Sequence, residues 1–181
     1  MSQLSDAELS HTALDWTVSE WLNTPPGFSV HDLRGRVVVA AAFQMLCPGC
    51  VDQTIPQLKR VAASFRREEV AVVGLHSVFE HHDAMTPTAL RAFLHEYRVS
   101  FPVAIDRPDD SGGPIPQTMH RYGMQGTPTL LVYDARGRVR RTTLGHVPDM
   151  QLAIEVTHLL HEAGPEAGAD VVCDDLTCRL A

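Results

Sequence analysis

The chain has no run of Lys or Arg, and its formal net charge is −7. Nucleic acids and anionic membranes recruit clustered positive charge, so neither is expected as a main partner. No apolar run approaches the ~20 residues a helix needs to span a bilayer. Met1-Ser-Gln-Leu-Ser-Asp-Ala-Glu lacks both the basic start and the apolar core of a secretion signal. With Met1 as the natural start, the expected compartment is the cytoplasm. Cysteine is scarce as well: there are four, in two close pairs, Cys47/Cys50 and Cys173/Cys178. So few do not suggest a disulfide-stapled fold, and reactive, exchanging thiols are the better reading. No second Cys-x-x-Cys and no His-x-x-x-His pair is present, so Cys47 and Cys50 as half of a zinc site would lack their other ligands. No internal repeat is visible.

What is present suits one well-buried domain with decoration: 181 residues, 44% of them hydrophobic. Residues 1–15 are polar with weak helical periodicity and read as an N-terminal extension. The domain is expected over 16–162, and from 163 the composition shifts to Gly, Ala, Asp and Glu, which marks a tail. Val37-Val-Val-Ala-Ala-Ala-Phe43 is apolar at every position, as a strand buried on both faces is. Val51, Ile55, Leu58, Val61, Ala62 and Phe65 follow at helical spacing, with Pro56 expected to kink that helix. Further strands are predicted over 70–75, 101–105, 130–133 and 138–144, and helices over 87–98, 117–122 and 149–162. Asp134-Ala-Arg-Gly137 reads as a hairpin turn. The order predicts an α/β fold, a central mixed sheet with helices on both faces.

Between the first strand and its helix stands Cys47-Pro48-Gly49-Cys50. The first turn of a helix has unpaired N–H groups and the positive end of the dipole, which favour negative charge on a sulfur held there. In Cys-x-x-Cys motifs this lowers a thiol pKa from ~8.5 into the range ~3.5–7.5. The pair is therefore a candidate redox site.

Leu33-Arg-Gly-Arg-Val-Val-Val, the stretch 43–50, and Tyr122-Gly-Met-Gln-Gly-Thr-Pro-Thr-Leu-Leu-Val-Tyr-Asp-Ala-Arg-Gly together resemble the redoxin branch of the thioredoxin superfamily. More narrowly, the chain is similar to TlpA-like thiol–disulfide oxidoreductases, which border the peroxiredoxins. The resemblance covers about residues 16–162 and implies a thioredoxin-like fold. It implies that Cys47 is the attacking, more exposed thiol and Cys50 the resolving one. It also implies that Thr127-Pro128 is a cis-proline dipeptide beside the disulfide, which with Pro48 and Gly49 forms the substrate-binding surface. The chain departs from the pattern at Leu46, where relatives usually have Trp, and at Ala41, where thioredoxin has a buried Asp. Another group or solvent must then take the proton from Cys50, and Glu80 and His76 are the candidates.

His76, His81, His82 and Asp83 invite a metal reading, but a solvated loop is favoured, and no metal, nucleotide or other cofactor is expected. Trp16 and Trp21 read as packing residues. Cys173-Asp-Asp-Leu-Thr-Cys178 is not explained by the resemblance. It reads as an inert tail, as a secondary redox pair exchanging with Cys47, or as a local disulfide.

The expected activity is dithiol–disulfide exchange, in the direction of reduction. The partners are a disulfide-bearing protein or small thiol substrate and a cellular dithiol electron donor. The alternatives are a peroxiredoxin-like thiol peroxidase with antioxidant activity, with Cys50 peroxidatic and Cys47 resolving, and a non-enzymatic redox-dependent binding module. Ala42 stands where the peroxiredoxin proline would be, which ranks the peroxidase second.

Overall fold

The computed structural model describes residues 14–163, with the backbone of two short strands, β7 (Val171–Asp174) and β8 (Thr177–Leu180), beyond them. The extension expected over 1–15 falls outside the described residues except at its end. There Leu14 is buried, with its N–H donating to Gly137 O at 2.7 Å, and Asp15 pairs with Arg121 at 2.6 Å. Leu14 and Asp15 thus belong to the packed body.

Six strands form one mixed sheet in the order β1-β4-β3-β2-β5-β6. They are β1 (Val18–Leu22), β2 (Val37–Phe43), β3 (Val70–His76), β4 (Val103–Asp106), β5 (Thr129–Tyr133) and β6 (Val139–Leu144). β2 and β3 are buried at every residue and pair in parallel, with β-branched valines that fit an extended, two-sided environment. β5 runs antiparallel to β2 on its other side. β1, which the sequence pattern did not reveal, closes one edge antiparallel to β4. Its alternation is weak because Glu20 lies on the surface facing Arg91.

The two faces of the sheet carry different layers. Val37, Val39, Ala41 and Phe43 of β2 share a core with α1 (Ile55–Ser64), α2 (Pro87–Glu96) and α4 (Asp149–Glu162). Two successive parallel crossovers in the same direction, both right-handed, put α1 and α2 on one face. The chain then turns back across the sheet. The short α3 (Gln117–Arg121) packs on the opposite face with Leu14, Trp16 and Leu33. Both tryptophans pack as expected: Trp16 stacks on Trp21 at 6.3 Å and donates to the Tyr133 hydroxyl at 2.9 Å.

The helix departs from the α pattern just before Pro56. Residues Cys50–Thr54 form a wider, π-type turn in which the Ile55 N–H reaches Cys50 O, and the α-helix proper begins at Ile55. Pro56 thus occupies the first α-helical turn, where its missing N–H removes no helical bond.

Gly74 on β3 is held to glycine by packing alone. A Cβ there would lie 2.9 Å from Phe43 Cε1 and 3.2 Å from Val103 Cγ2. Gly74→Ala is expected to destabilise the fold by about 1–3 kcal/mol, the usual range for overpacking a filled core. Equilibrium denaturation checks this, and an unchanged midpoint would mean that the Phe43 ring has room to retreat.

Candidate active site

β2 enters the sheet's centre and ends beside the start of β5, where Ala42 faces Thr129 across the ladder. This is the point where the chain changes direction across the sheet, and open α/β sheets form crevices at such points. The loop after β2 and the loop before β5 therefore meet, and they carry Cys47-Pro48-Gly49-Cys50 and Gly126-Thr127-Pro128.

Cys47 is half-buried and Cys50 fully buried, and both are free. Their sulfurs lie 2.7 Å apart. The Cys50 N–H, in the first turn of the helix, donates to Cys47 Sγ at 3.3 Å. That N–H is a hydrogen-bond partner of the half-exposed sulfur. Cys50 sits in a different environment. Burial and its hydrogen bond with Cys47 push its thiol up to about 12, against smaller opposing contributions from the Gln44 backbone and the Thr127 side chain. At neutral pH Cys50 therefore holds its proton.

The Thr127–Pro128 peptide bond is cis. Thr127 O lies 3.5 Å from Cys47 Sγ, and the Pro128 ring lies 3.5 Å from where a Gly49 Cβ would be. Pro128 O in turn accepts from the Gly145 N–H at 2.8 Å. The loop after Gly145 is tied to α1 by Gln57, whose amide donates to Val147 O and to Asp149 Oδ1, both at 2.7 Å. The arrangement gives an exposed sulfur, a buried sulfur within reach of it, and a backbone carbonyl facing the exposed one.

Comparison with known proteins places this geometry. The Redoxin family profile matches residues 13–156. The chain belongs to the Redoxin family. Solved structures similar to this redoxin include a thioredoxin-like superfamily protein, 49% identical with a TM-score of 0.80 over 84% of this chain and 99% of that one. A thiol-disulfide isomerase from Corynebacterium glutamicum is 46% identical with a TM-score of 0.80, over 83% and 97%. The thiol-disulfide oxidoreductase ResA of Bacillus thuringiensis subsp. konkukian is 26% identical, over 70% of this chain and 71% of that protein. The chloroplastic protein SUPPRESSOR OF QUENCHING 1 of Arabidopsis thaliana is 29% identical over 75% of this chain, which spans only 12% of its length. At the level of the family, this redoxin is a thiol–disulfide oxidoreductase with a thioredoxin-like fold.

The structure separates the remaining candidates of the sequence reading. Cys47, Pro48, Gly49, Cys50, Thr127 and Pro128 come together. Glu80 is exposed in the loop after β3, and among the described residues it makes no hydrogen bond to either sulfur. His76 is 1% exposed at the end of β3, its ring 5.3 Å from that of Phe43, and its Nε2 has no hydrogen-bond partner among the described residues. Among the described residues no group of three or more His, Cys, Asp and Glu is arranged to hold a metal ion, and His81 and His82 are exposed while His76 is not.

Sequence reasoning missed one neighbour of the site and one buried polar anchor away from it. Leu144 is 57% exposed opposite Thr129 and close to Gly126, so with Leu46, 58% exposed, it gives the surface around Cys47 an apolar character. Leu46 stands out by departing from the family's Trp, whereas Leu144 has no sequence signal, because an exposed leucine looks like any other. The second is Asp106, buried on the far side of the sheet. It accepts from Ser77 Oγ at 2.9 Å and from the N–H groups of Thr118 and Met119 at 2.8 and 3.0 Å. It anchors the start of α3, and burial raises its pKa against those hydrogen bonds.

Two outcomes follow. Alkylation of the reduced, native protein near neutral pH should modify Cys47 and leave Cys50 intact, read by peptide mass mapping; equal labelling of both would contradict the burial difference. Burial lowers His76 from its ordinary value near 6.5 to about 4. The unfolded chain therefore takes up this proton before the folded one. Stability is full above pH 6.5 and falls as the pH drops towards 4, by on the order of 3 kcal/mol. Urea denaturation across that window should show the loss, and His76→Gln should flatten it.

Proposed function

We propose that this redoxin catalyses dithiol–disulfide exchange through Cys47 and Cys50, in the direction of substrate reduction. One observation supports this reading above others: the accessible sulfur receives the helix-turn N–H, while the inaccessible one is a protonated thiol in contact with it.

Cys47 thiolate attacks one sulfur of a substrate disulfide, expelling the other as a thiolate that takes up a proton. A mixed disulfide to Cys47 results. Cys50 then gives up its proton, attacks Cys47 Sγ and releases the reduced substrate, leaving a Cys47–Cys50 disulfide. With Glu80 and His76 not hydrogen-bonded to it, Cys50 passes its proton to the departing thiolate or to solvent. The Gln44 backbone and the Thr127 side chain, which oppose the upward shift of Cys50, steady its transient thiolate. Thr127 and Pro128, with Pro48 and Gly49 opposite, form the surface on which the chain flanking a substrate cysteine lies. A cellular dithiol closes the cycle, and a reducing compartment such as the cytoplasm favours this direction.

The peroxidase alternative needs Cys50 as the first nucleophile. Its complete burial and raised pKa make it the poorer candidate, since the thiolate is the reactive form. Kinetics with insulin disulfides and with a hydroperoxide test the choice. Cys47→Ser should reduce insulin reductase activity to background, and Cys50→Ser should accumulate a mixed disulfide between Cys47 and substrate. Full reductase activity in Cys47→Ser would overturn the proposal. Loss of peroxide consumption in Cys50→Ser alone, with a single turnover kept in Cys47→Ser, would transfer the assignment to a peroxidase.

A further inference from the structure

β7 and β8 form a two-stranded antiparallel ribbon whose register sets Asp174 against Thr177 and Cys173 against Cys178. Directly opposite residues of an antiparallel pair lie on the same face of the ribbon, about 4.5–5.5 Å apart at Cα. A disulfide joins residues whose Cα atoms are about 4.4–6.8 Å apart. The register therefore pairs two cysteines at bonding separation, and the exchange at Cys47 and Cys50 makes no use of them.

We propose that Cys173 and Cys178 are a second redox centre of this chain, a cross-strand dithiol that takes over the disulfide from Cys47–Cys50. The inference rests on the exchange activity proposed above. A Cys173 or Cys178 thiolate attacks Cys47 Sγ, the more accessible sulfur of the oxidised pair, and Cys50 leaves and takes up a proton. The second tail thiolate then attacks the tail sulfur of this mixed disulfide and expels Cys47 as a thiolate. Two thiols have been oxidised to the Cys173–Cys178 disulfide, and one disulfide has been reduced to Cys47 and Cys50. The only oxidant is the active-site disulfide itself, and a cellular dithiol later reduces the tail.

Charge sets the direction. The active site stabilises its reduced form through the N–H on Cys47 Sγ. The tail sequence instead places Asp170, Asp174 and Asp175 around its two cysteines, against one positive charge, Arg179. Cys47, which receives that N–H, is expelled as a thiolate more readily than a tail cysteine set among acidic residues, so electrons flow from the tail to Cys47 and Cys50.

Reach permits the transfer within one chain. α4 has 14 residues and leads away from the active-site end: Gln57 holds its first residue, Asp149, and Arg140, at the far end of β6, holds Glu162. At 1.5 Å per residue that is a return path of about 21 Å. The ten residue steps from Ala163 to Cys173 span at most about 33–36 Å.

The test uses the full-length, fully reduced protein and a sub-stoichiometric amount of insulin as oxidant. Acid quenching, alkylation and mass mapping then locate the disulfide. In the wild type it should appear first on Cys47–Cys50 and settle mostly on Cys173–Cys178, at a rate independent of protein concentration. In the C173S/C178S variant it should stay on Cys47–Cys50, and in C47S/C50S the tail should remain reduced. The proposal is overturned if the wild-type disulfide stays on Cys47–Cys50, or if the tail oxidises as fast in C47S/C50S. Either result leaves the exchange activity standing. A wild type in which neither pair is oxidised by insulin would instead remove the exchange reading, and this inference with it.

Discussion

The pairing of β2 between a parallel and an antiparallel neighbour is the constraint from which the site follows. β3 lies parallel to β2 and β5 antiparallel, so the carboxyl end of β2 and the amino end of β5 lie side by side. Two loops separated by about eighty residues in sequence are thereby pressed together at one end of the sheet, one carrying two thiols and the other a cis-proline. The ladder is buried on both faces, and a slip of one residue would turn its apolar side chains to the wrong layers. The register, and with it the distance from Cys47 to Thr127, is held by the core rather than by the loops.

Once the loops meet, the asymmetry between the two thiols follows from where each falls on the helix that starts there. Cys47 precedes the first turn, half-open to solvent, and receives an N–H. Cys50 begins that turn and is sealed under it. The π-type turn over Cys50–Thr54 leads into the proline-bearing helix. The same helix is clamped to the other side of the site, because Gln57 and Arg60 hold the start of α4 and the loop that precedes it binds Pro128 O. Electrostatic difference and mechanical positioning thus share one element.

The sheet is also asymmetric between its faces. One carries three helices and the site, the other a short helix, a tryptophan-rich N-terminal segment and the buried Asp106. The absence of an acidic residue at Ala41 leaves the layer beneath Cys50 apolar. That apolar layer contributes to the high pKa of Cys50, and His76 is kept neutral in the same core by the same desolvation.

Much of this was legible in the chain. The apolar run 37–43, the two cysteines at its end, and Gly126-Thr-Pro-Thr before another apolar run dictate a buried strand, a helix start and a second strand, because these are local patterns of burial and turn chemistry. The alternation that would reveal β1 is absent, since an edge strand with mixed exposure has no clean period. The π-type turn was also hidden, because a proline within a helical pattern reads equally as a kink or as a first turn. The roles suggested for Glu80 and His76 rested on their places at and after the carboxyl end of a strand, and only the packing of β3 against Phe43 decided that one lies in solvent and the other in the core. By itself, the sequence determined which residues are candidates for the chemistry, since thiols and a proline before a buried strand are visible without any fold. Tertiary structure alone decided which thiol is buried and which faces its carbonyl partner, because desolvation and contact depend on what the rest of the chain places around each sulfur.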